Sequence, residues 1–206
     1  MSNLASQFVD QGTLLFNATE FPLTTEEWQE IETVLEDAEY VNNVSCAAGE
    51  GHSVWVCRFY NDVEKPVPLH PQSQKISDIV MSPKMKAFYK QIIGSDELCL
   101  RRCQANLLHE GDYIGVHVDQ DSNPDYFATV VLHFDTEYRG GEFITRDQQR
   151  GDHIYSPNKR AALVNDCSIP HEVSKVESGS RKTLACFLSK NFSDSNNHRK
   201  DFRVVK

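Results

Sequence analysis

The 206-residue sequence predicts a mainly β fold, a jelly roll flanked on its N-terminal side by α-helices. Three observations predict it. From Glu97 onward the chain breaks into eight short runs rich in β-branched and aromatic residues, each bounded by turn residues, and such spacing belongs to a sandwich or barrel. Before that point, two stretches carry apolar residues at helical rather than alternating spacing. The length and the 39% hydrophobic content suit one sizeable core and are too little for two.

The N-terminal part supplies the helices. Residues 1–20 read as a loose lead-in or as one short strand around Thr13 to Phe16. Thr24 followed three residues later by Glu27 forms a capping box, and Trp28, Ile31, Val34 and Leu35 recur on one helical face, which makes Trp28 a core aromatic. Residues 42–52 read as a loop and Ser53 to Tyr60 as a strand. Asn61 to Gln74 holds Pro66, Pro68 and Pro71, so it is expected to lie outside any regular element, either covering a site or acting as a passive connector. Ile76 to Ile93 has a helical pattern that Pro83 divides and Gly94 ends.

The eight β-like runs are Leu98–Leu108, Tyr113–Val118, Phe127–Phe134, Glu142–Thr145, His153–Tyr155, Ala161–Val164, Glu172–Val176 and Thr183–Leu188. Gly140-Gly141 before Glu142-Phe143 reads as a hairpin signal, with Glu142 shaping the turn. The organisation expected is a single domain: helical support and a lid loop over 1–95, a jelly-roll core over 96–190, and a polar tail over 191–206.

A net charge of −9 argues against a general nucleic-acid or anionic-membrane partner. The first residues show no basic-then-apolar leader pattern, and no run approaches membrane-spanning length. The six cysteines form no compact framework, and Cys99 and Cys103 lack a second pair that would complete a zinc site. A reducing, cytoplasmic location is the expectation.

The chemistry centres on Gly115-Val116-His117-Val118-Asp119. On a strand, His117 and Asp119 share a face, with Val116 and Val118 packed on the other. An imidazole beside a carboxylate is two thirds of the 2-His-1-carboxylate arrangement of non-haem iron oxygenases. Downstream, Pro170-His171-Glu172-Val173 places a histidine at the start of a strand, and Arg181 opens the last strand ten residues later, with Thr183 on its face. Singly, H-x-D recurs by chance, His171 could be a turn residue and Arg181 a surface ion-pair partner; jointly they describe a site. His109, His133 and His153 have no partner at ligand spacing and read as structural.

The series H-x-D, G-G-E-F, H-E-V and G-x-R-x-T resembles the Fe(II)- and 2-oxoglutarate-dependent dioxygenases, and within them the prolyl 4-hydroxylase-like branch, over residues 97–190. The resemblance implies a double-stranded β-helix. It implies Fe(II) held by His117, Asp119 and His171, and Arg181 holding the distal carboxylate of 2-oxoglutarate with Thr183 adding a hydroxyl. It further implies O2 as cosubstrate, leaves ascorbate open as a further cofactor, and predicts hydroxylation of an aliphatic C–H with release of succinate and CO2. Many relatives carry a 2-oxoglutarate-binding tyrosine where this chain has Leu108, and Asn106 or Tyr113 is the candidate replacement. The nucleic-acid-demethylating branch carries a second arginine where this chain has Phe187, which points away from DNA and RNA. The substrate implied is a prolyl or other amino-acid side chain, free or in a peptide. Another small metabolite, a dioxygenase that does not use 2-oxoglutarate, and a non-catalytic metal-binding sensor or scaffold stay open, as does the oligomeric state.

Overall fold

A computed structural model describes residues 3–43, 51–62, 66–134, 137–157 and 159–190. The expected polar tail over 191–206 and most of the expected loop over 42–52 lie outside the described residues. The chain runs α1 (Leu4–Gln11), β1 (Thr13–Phe16), α2 (Thr25–Glu36), β2 (Val41–Asn43), β3 (His52–Asp62), β4 (Pro66–Pro68), α3 (Ser73–Val80) and α4 (Pro83–Ile93). Then come β5 (Cys99–His109), β6 (Tyr113–His117), β7 (Tyr126–His133), β8 (Tyr138–Gly140), β9 (Phe143–Asp147), β10 (Gly151–Tyr155), β11 (Ala162–Asp166), β12 (His171–Val173) and β13 (Val176–Ser189).

The strands join in the order β1-β11-β7-β13-β5-β3-β6-β12-β9-β10, every pairing antiparallel, with β2 and β4 added to β3 and β8 to β13. β3 pairs mainly with β5, but its first residues His52 and Ser53 pair with β6. It thereby carries a larger sheet into a smaller one, and the two face each other as a double-stranded β-helix.

Alternation along the strands creates two cores. Ala128, Val130 and Leu132 of β7, Leu184, Cys186 and Leu188 of β13, and Cys103 and Ala105 of β5 face outward from the larger sheet. They pack against Phe8, Trp28, Ile31, Leu35, Ile76, Met85, Tyr89 and Ile92 of the four helices. The intervening residues face the smaller sheet, where Leu108, Tyr126, Val131, Phe143, Val173 and Phe187 form a second cluster. The capping box forms as expected, with Thr24 Oγ1 accepting from Glu27 N and Glu27 Oε2 accepting from Thr24 N. Pro83 begins α4 and Gly94 ends it in a left-handed conformation. Among the described residues no helix is long and apolar enough to cross a membrane.

Several local expectations are corrected. The lead-in contains α1, capped by Asn3 Oδ1 accepting from Ala5 N and closed by Gly12. Pro66 and Pro68 lie within a strand. The Leu69 N–H donates to Phe59 O at 2.9 Å, so the ladder uses every second residue and both prolines fall where no donor is needed. None of residues 67–74 lines the central cavity; Ser73 Oγ bonds Phe59 O and His70 packs edge-on to Phe59, so this stretch belongs to the helical side. Gly140-Gly141 makes no hairpin. β8 pairs with β13 whereas β9 pairs with β10 and β12, so the two glycines, both at positive φ, turn the chain from one sheet to the other.

Candidate active site

The two inner faces enclose a cavity of about 110 Å³ lined by residues from both sheets. His117 is the last residue of β6 and His171 the first of β12, and they are direct cross-strand partners with ring centroids 4.3 Å apart. β6 stops at His117, so Asp119 is delivered by a 3₁₀ turn over Asp119–Asp121 rather than by strand alternation. Val116 consequently has no core behind it: it is 40% exposed, because the outer face of β6 meets solvent, which corrects its expected packing.

Asp119 Oδ1 lies 3.5 Å from His117 Nε2 and 3.8 Å from His171 Nε2. One donor atom from each of the three residues falls within 4.8 Å of the others. His117 Nδ1 is 2.9 Å from Gly115 O, and His171 Nδ1 is 2.9 Å from Ile169 O. A carbonyl only accepts, so each Nδ1 carries the proton and each Nε2 turns its lone pair to the centre, as a metal ligand requires. Gly115 serves this geometry directly: its N–H donates to Gly51 O at 3.0 Å, and a Cβ there would stand 2.6 Å from that same oxygen. Phe143 stacks on His171 at 5.0 Å and fixes the ring plane.

Asp119 Oδ2 accepts from Thr129 Oγ1 at 2.5 Å. Burial raises the Asp119 pKa, but the neighbouring imidazoles and the hydroxyl outweigh it and hold the carboxyl below its usual range. Burial, reinforced by His117 and opposed by Asp119, brings His171 down to about 4. At neutral pH Asp119 is a carboxylate and His171 a neutral imidazole, and with His117 they form a donor set that fits a divalent first-row metal.

Arg181 and Thr183 point into the same cavity from β13, both fully buried. Arg181 hydrogen-bonds Tyr138 of β8, while its Nε and Thr183 Oγ1 have no partner among the described residues. A buried cation with a donor to spare beside an orphaned hydroxyl fits a carboxylate. Burial lowers the Arg181 pKa and Tyr138 opposes it, leaving a permanent guanidinium.

Asn106 is buried on the cavity wall, its Oδ1 accepting from Gln104 Nε2 at 2.7 Å. Tyr113 is corrected: it is 37% exposed and does not line the cavity, because odd-numbered positions at this end of β6 face outward. Leu108 is buried on the inner face. Sequence reasoning missed Thr129, Tyr138 and His133. Thr129 and His133 interrupt the apolar run of β7 on one face with Val131, a period-two signal that was available; β8 is too short for Tyr138 to have had one.

Residues 103–189 match the family model of the 2OG-Fe(II) oxygenase superfamily. An oxidoreductase of the 2OG-Fe(II) oxygenase family from Burkholderia pseudomallei is 27% identical, with 94% of this chain and 92% of that chain covered and a TM-score of 0.85. A Trichoplax adhaerens prolyl hydroxylase, solved with a hypoxia inducible factor peptide fragment, is 13% identical over 90% of this chain and 79% of that one, with a TM-score of 0.67. HygX from Streptomyces hygroscopicus, solved with nickel and 2-oxoglutarate, is 11% identical over 93% of this chain and 88% of that one, with a TM-score of 0.66. No curated protein matches in sequence. These matches support the 2OG-Fe(II) oxygenase superfamily for this chain and, with it, a 2-oxoglutarate-dependent dioxygenase.

Proposed function

We propose that the protein hydroxylates an unactivated aliphatic C–H of a prolyl or other amino-acid side chain, free or within a peptide. O2 is the second cosubstrate: one oxygen atom enters the new hydroxyl and the other enters succinate, with CO2 released from 2-oxoglutarate. The observation that carries this reading is the pairing, in one cavity, of the convergent His117, Asp119 and His171 donors with buried Arg181 and Thr183 atoms that have no partner among the described residues.

His117, Asp119 and His171 would hold Fe(II). When bound, iron would supply redox chemistry that couples O2 and 2-oxoglutarate to C–H oxidation. The chain's own contribution is orientation. Gly115 O and Ile169 O fix the tautomers, Thr129 holds the Asp119 carboxylate, and Arg181 with Thr183 aligns the cosubstrate by its far end. The apolar walls from Val54, Val131, Phe143 and Val173 exclude bulk water around those groups.

The test is to supply purified protein with Fe(II), 2-oxoglutarate and O2, quantify succinate, and screen amino acids and peptides by mass spectrometry for a gain of one oxygen. Stoichiometric succinate and hydroxylated product are expected for the true substrate. Turnover without any oxygen incorporated across amino-acid and peptide libraries would contradict the substrate class.

A further inference from the structure

Two arginines line the cavity, Arg181 and Arg102. Arg102 is 8% exposed and stands on the inner face of β5. Its Cα partner across the ladder is Phe187 of β13, and Phe187 in turn partners Thr129 of β7. Thr129 donates to Asp119, so one row across three strands leads from the metal centre to the Arg102 guanidinium. Arg181 pairs with Leu108, towards the other end of β5, so the two cations belong to opposite ends of the cavity. Two neighbours hold the Arg102 side chain. Its Cζ lies 5.1 Å from the centre of the Phe187 ring. Its Nε and Nη2 donate to Gln104 Oε1 at 3.0 and 2.5 Å, and Gln104 Nε2 donates onward to Asn106 Oδ1 at 2.7 Å. The cation thereby sets the direction of the whole polar row on β5. A side chain fixed in this way costs little further ordering when a ligand binds.

Resting on the function proposed above, we propose that Arg102 anchors the substrate: it binds the α-carboxylate of a free amino acid whose aliphatic side chain extends toward the metal centre. The cosubstrate does not account for this residue. In the reading above, 2-oxoglutarate commits its far carboxylate to Arg181 and turns its other end to the metal. A guanidinium on a cavity wall selects an anion, and a carboxylate matches its planar donors. An internal peptide residue would bring two flanking amides and no α-carboxylate to this nearly enclosed cation, and its desolvated amides would need partners of their own. The spacing also favours a small molecule. Thr129 and Arg102 stand two strands apart, roughly 10 Å between Cα atoms at ~4.8 Å per strand, and both side chains point into the gap. Between them on β13, Phe187 and Ala185 give the gap an apolar floor suited to an aliphatic chain.

The test measures kcat/KM for oxygen incorporation, read by mass spectrometry, with Fe(II), 2-oxoglutarate and O2 supplied. Each proteinogenic L-amino acid is presented as the free acid, as its carboxamide, and as the central residue of an N-acetylated, C-amidated tripeptide. At least one free acid should be hydroxylated by wild type. Its carboxamide and capped peptide should be about tenfold to a hundredfold poorer, the range for losing a hydrogen bond to a charged group. Arg102→Gln keeps a polar group but not the charge, and should collapse the preference for acid over carboxamide. Arg102→Lys keeps the charge without the fork and should retain part of it. The wild-type comparison of acid with carboxamide needs no variant, so it decides the matter even where a substitution fails to fold. Equal kcat/KM for acid and carboxamide, oxidation confined to capped peptides, or a preference that survives in Arg102→Gln would overturn the proposal. So would oxidation of no free acid by protein that binds 2-oxoglutarate in anaerobic calorimetry. Failure of wild type to bind 2-oxoglutarate at all would instead overturn the function on which the proposal rests.

Discussion

The same three strands, β5, β7 and β13, build two regions of opposite character. On the outward face of the larger sheet, Leu132, Cys186 and Ala105 meet the helices in an apolar layer. On the inward face, at the alternate positions of the same strands, stand His133, Thr183, Arg181 and Asn106. The outer face is what holds the sheet in shape. The inner face keeps buried polar atoms that have no partner among the described residues, a cost that a fold selected for stability alone would remove. The difference teaches where function resides: in the alternate residues of strands whose other side does the packing.

Substitutions on the two faces should separate accordingly. The largest effect is expected outside. Leu132→Ala removes a side chain only 1% exposed from the helix-facing core and should cost about 2–5 kcal/mol by denaturant unfolding, with the 2-oxoglutarate KM of the folded fraction unchanged. Arg181→Ala should do the reverse, leaving the fold intact and raising that KM about tenfold to a hundredfold, as loss of a charged hydrogen bond implies. Arg181→Lys keeps the charge without the planar fork and should fall between. A Leu132→Ala protein that stays fully stable, or an Arg181→Ala protein with unaltered KM, would erase the distinction between the faces.

Smaller changes sharpen it. Thr129→Val keeps shape but deletes the donor to Asp119 Oδ2, and Fe(II) affinity measured by anaerobic calorimetry should fall about tenfold, as for other groups that orient a metal ligand. The smallest effect concerns pH. His133 is held neutral in the folded protein, so its pKa is depressed, whereas the unfolded chain takes up a proton near ~6.5. The unfolded state then binds more protons below that pH, and stability is lost as pH falls through this range. His133→Phe removes the group from both states, so its Tm should drop less than that of wild type between pH 7 and pH 5.5.

Much of this division is legible in the sequence, and the limits are physical. The β core is visible because strand runs and turn residues alternate from Glu97 onward, and the candidate site is visible because His117 and Asp119 are adjacent in the chain and Arg181 follows His171 by ten residues. α1 is obscured by its shortness and by its sparse apolar face: Phe8 is its buried residue, while Val9 is 69% exposed. β4 is hidden by its prolines, which mimic a loop until the ladder shows that their nitrogens are not needed. His133 and Tyr138 reach Arg181 from strands β7 and β8, and such neighbours depend on sheet order, which local sequence does not carry. Asp119 is the subtle case: its position by the histidines is as expected, but a 3₁₀ turn puts it there.

The central claim is that the inner face holds one divalent metal through His117, Asp119 and His171. It is tested most directly by anaerobic equilibrium dialysis against Fe(II), comparing wild type with His117→Ala, Asp119→Ala and His171→Ala, with circular dichroism to verify that each variant is folded. The account predicts one equivalent of iron in wild type and sharply weakened binding in each folded variant. Iron retained at wild-type affinity in His171→Ala, or no stoichiometric binding in wild type, would contradict it.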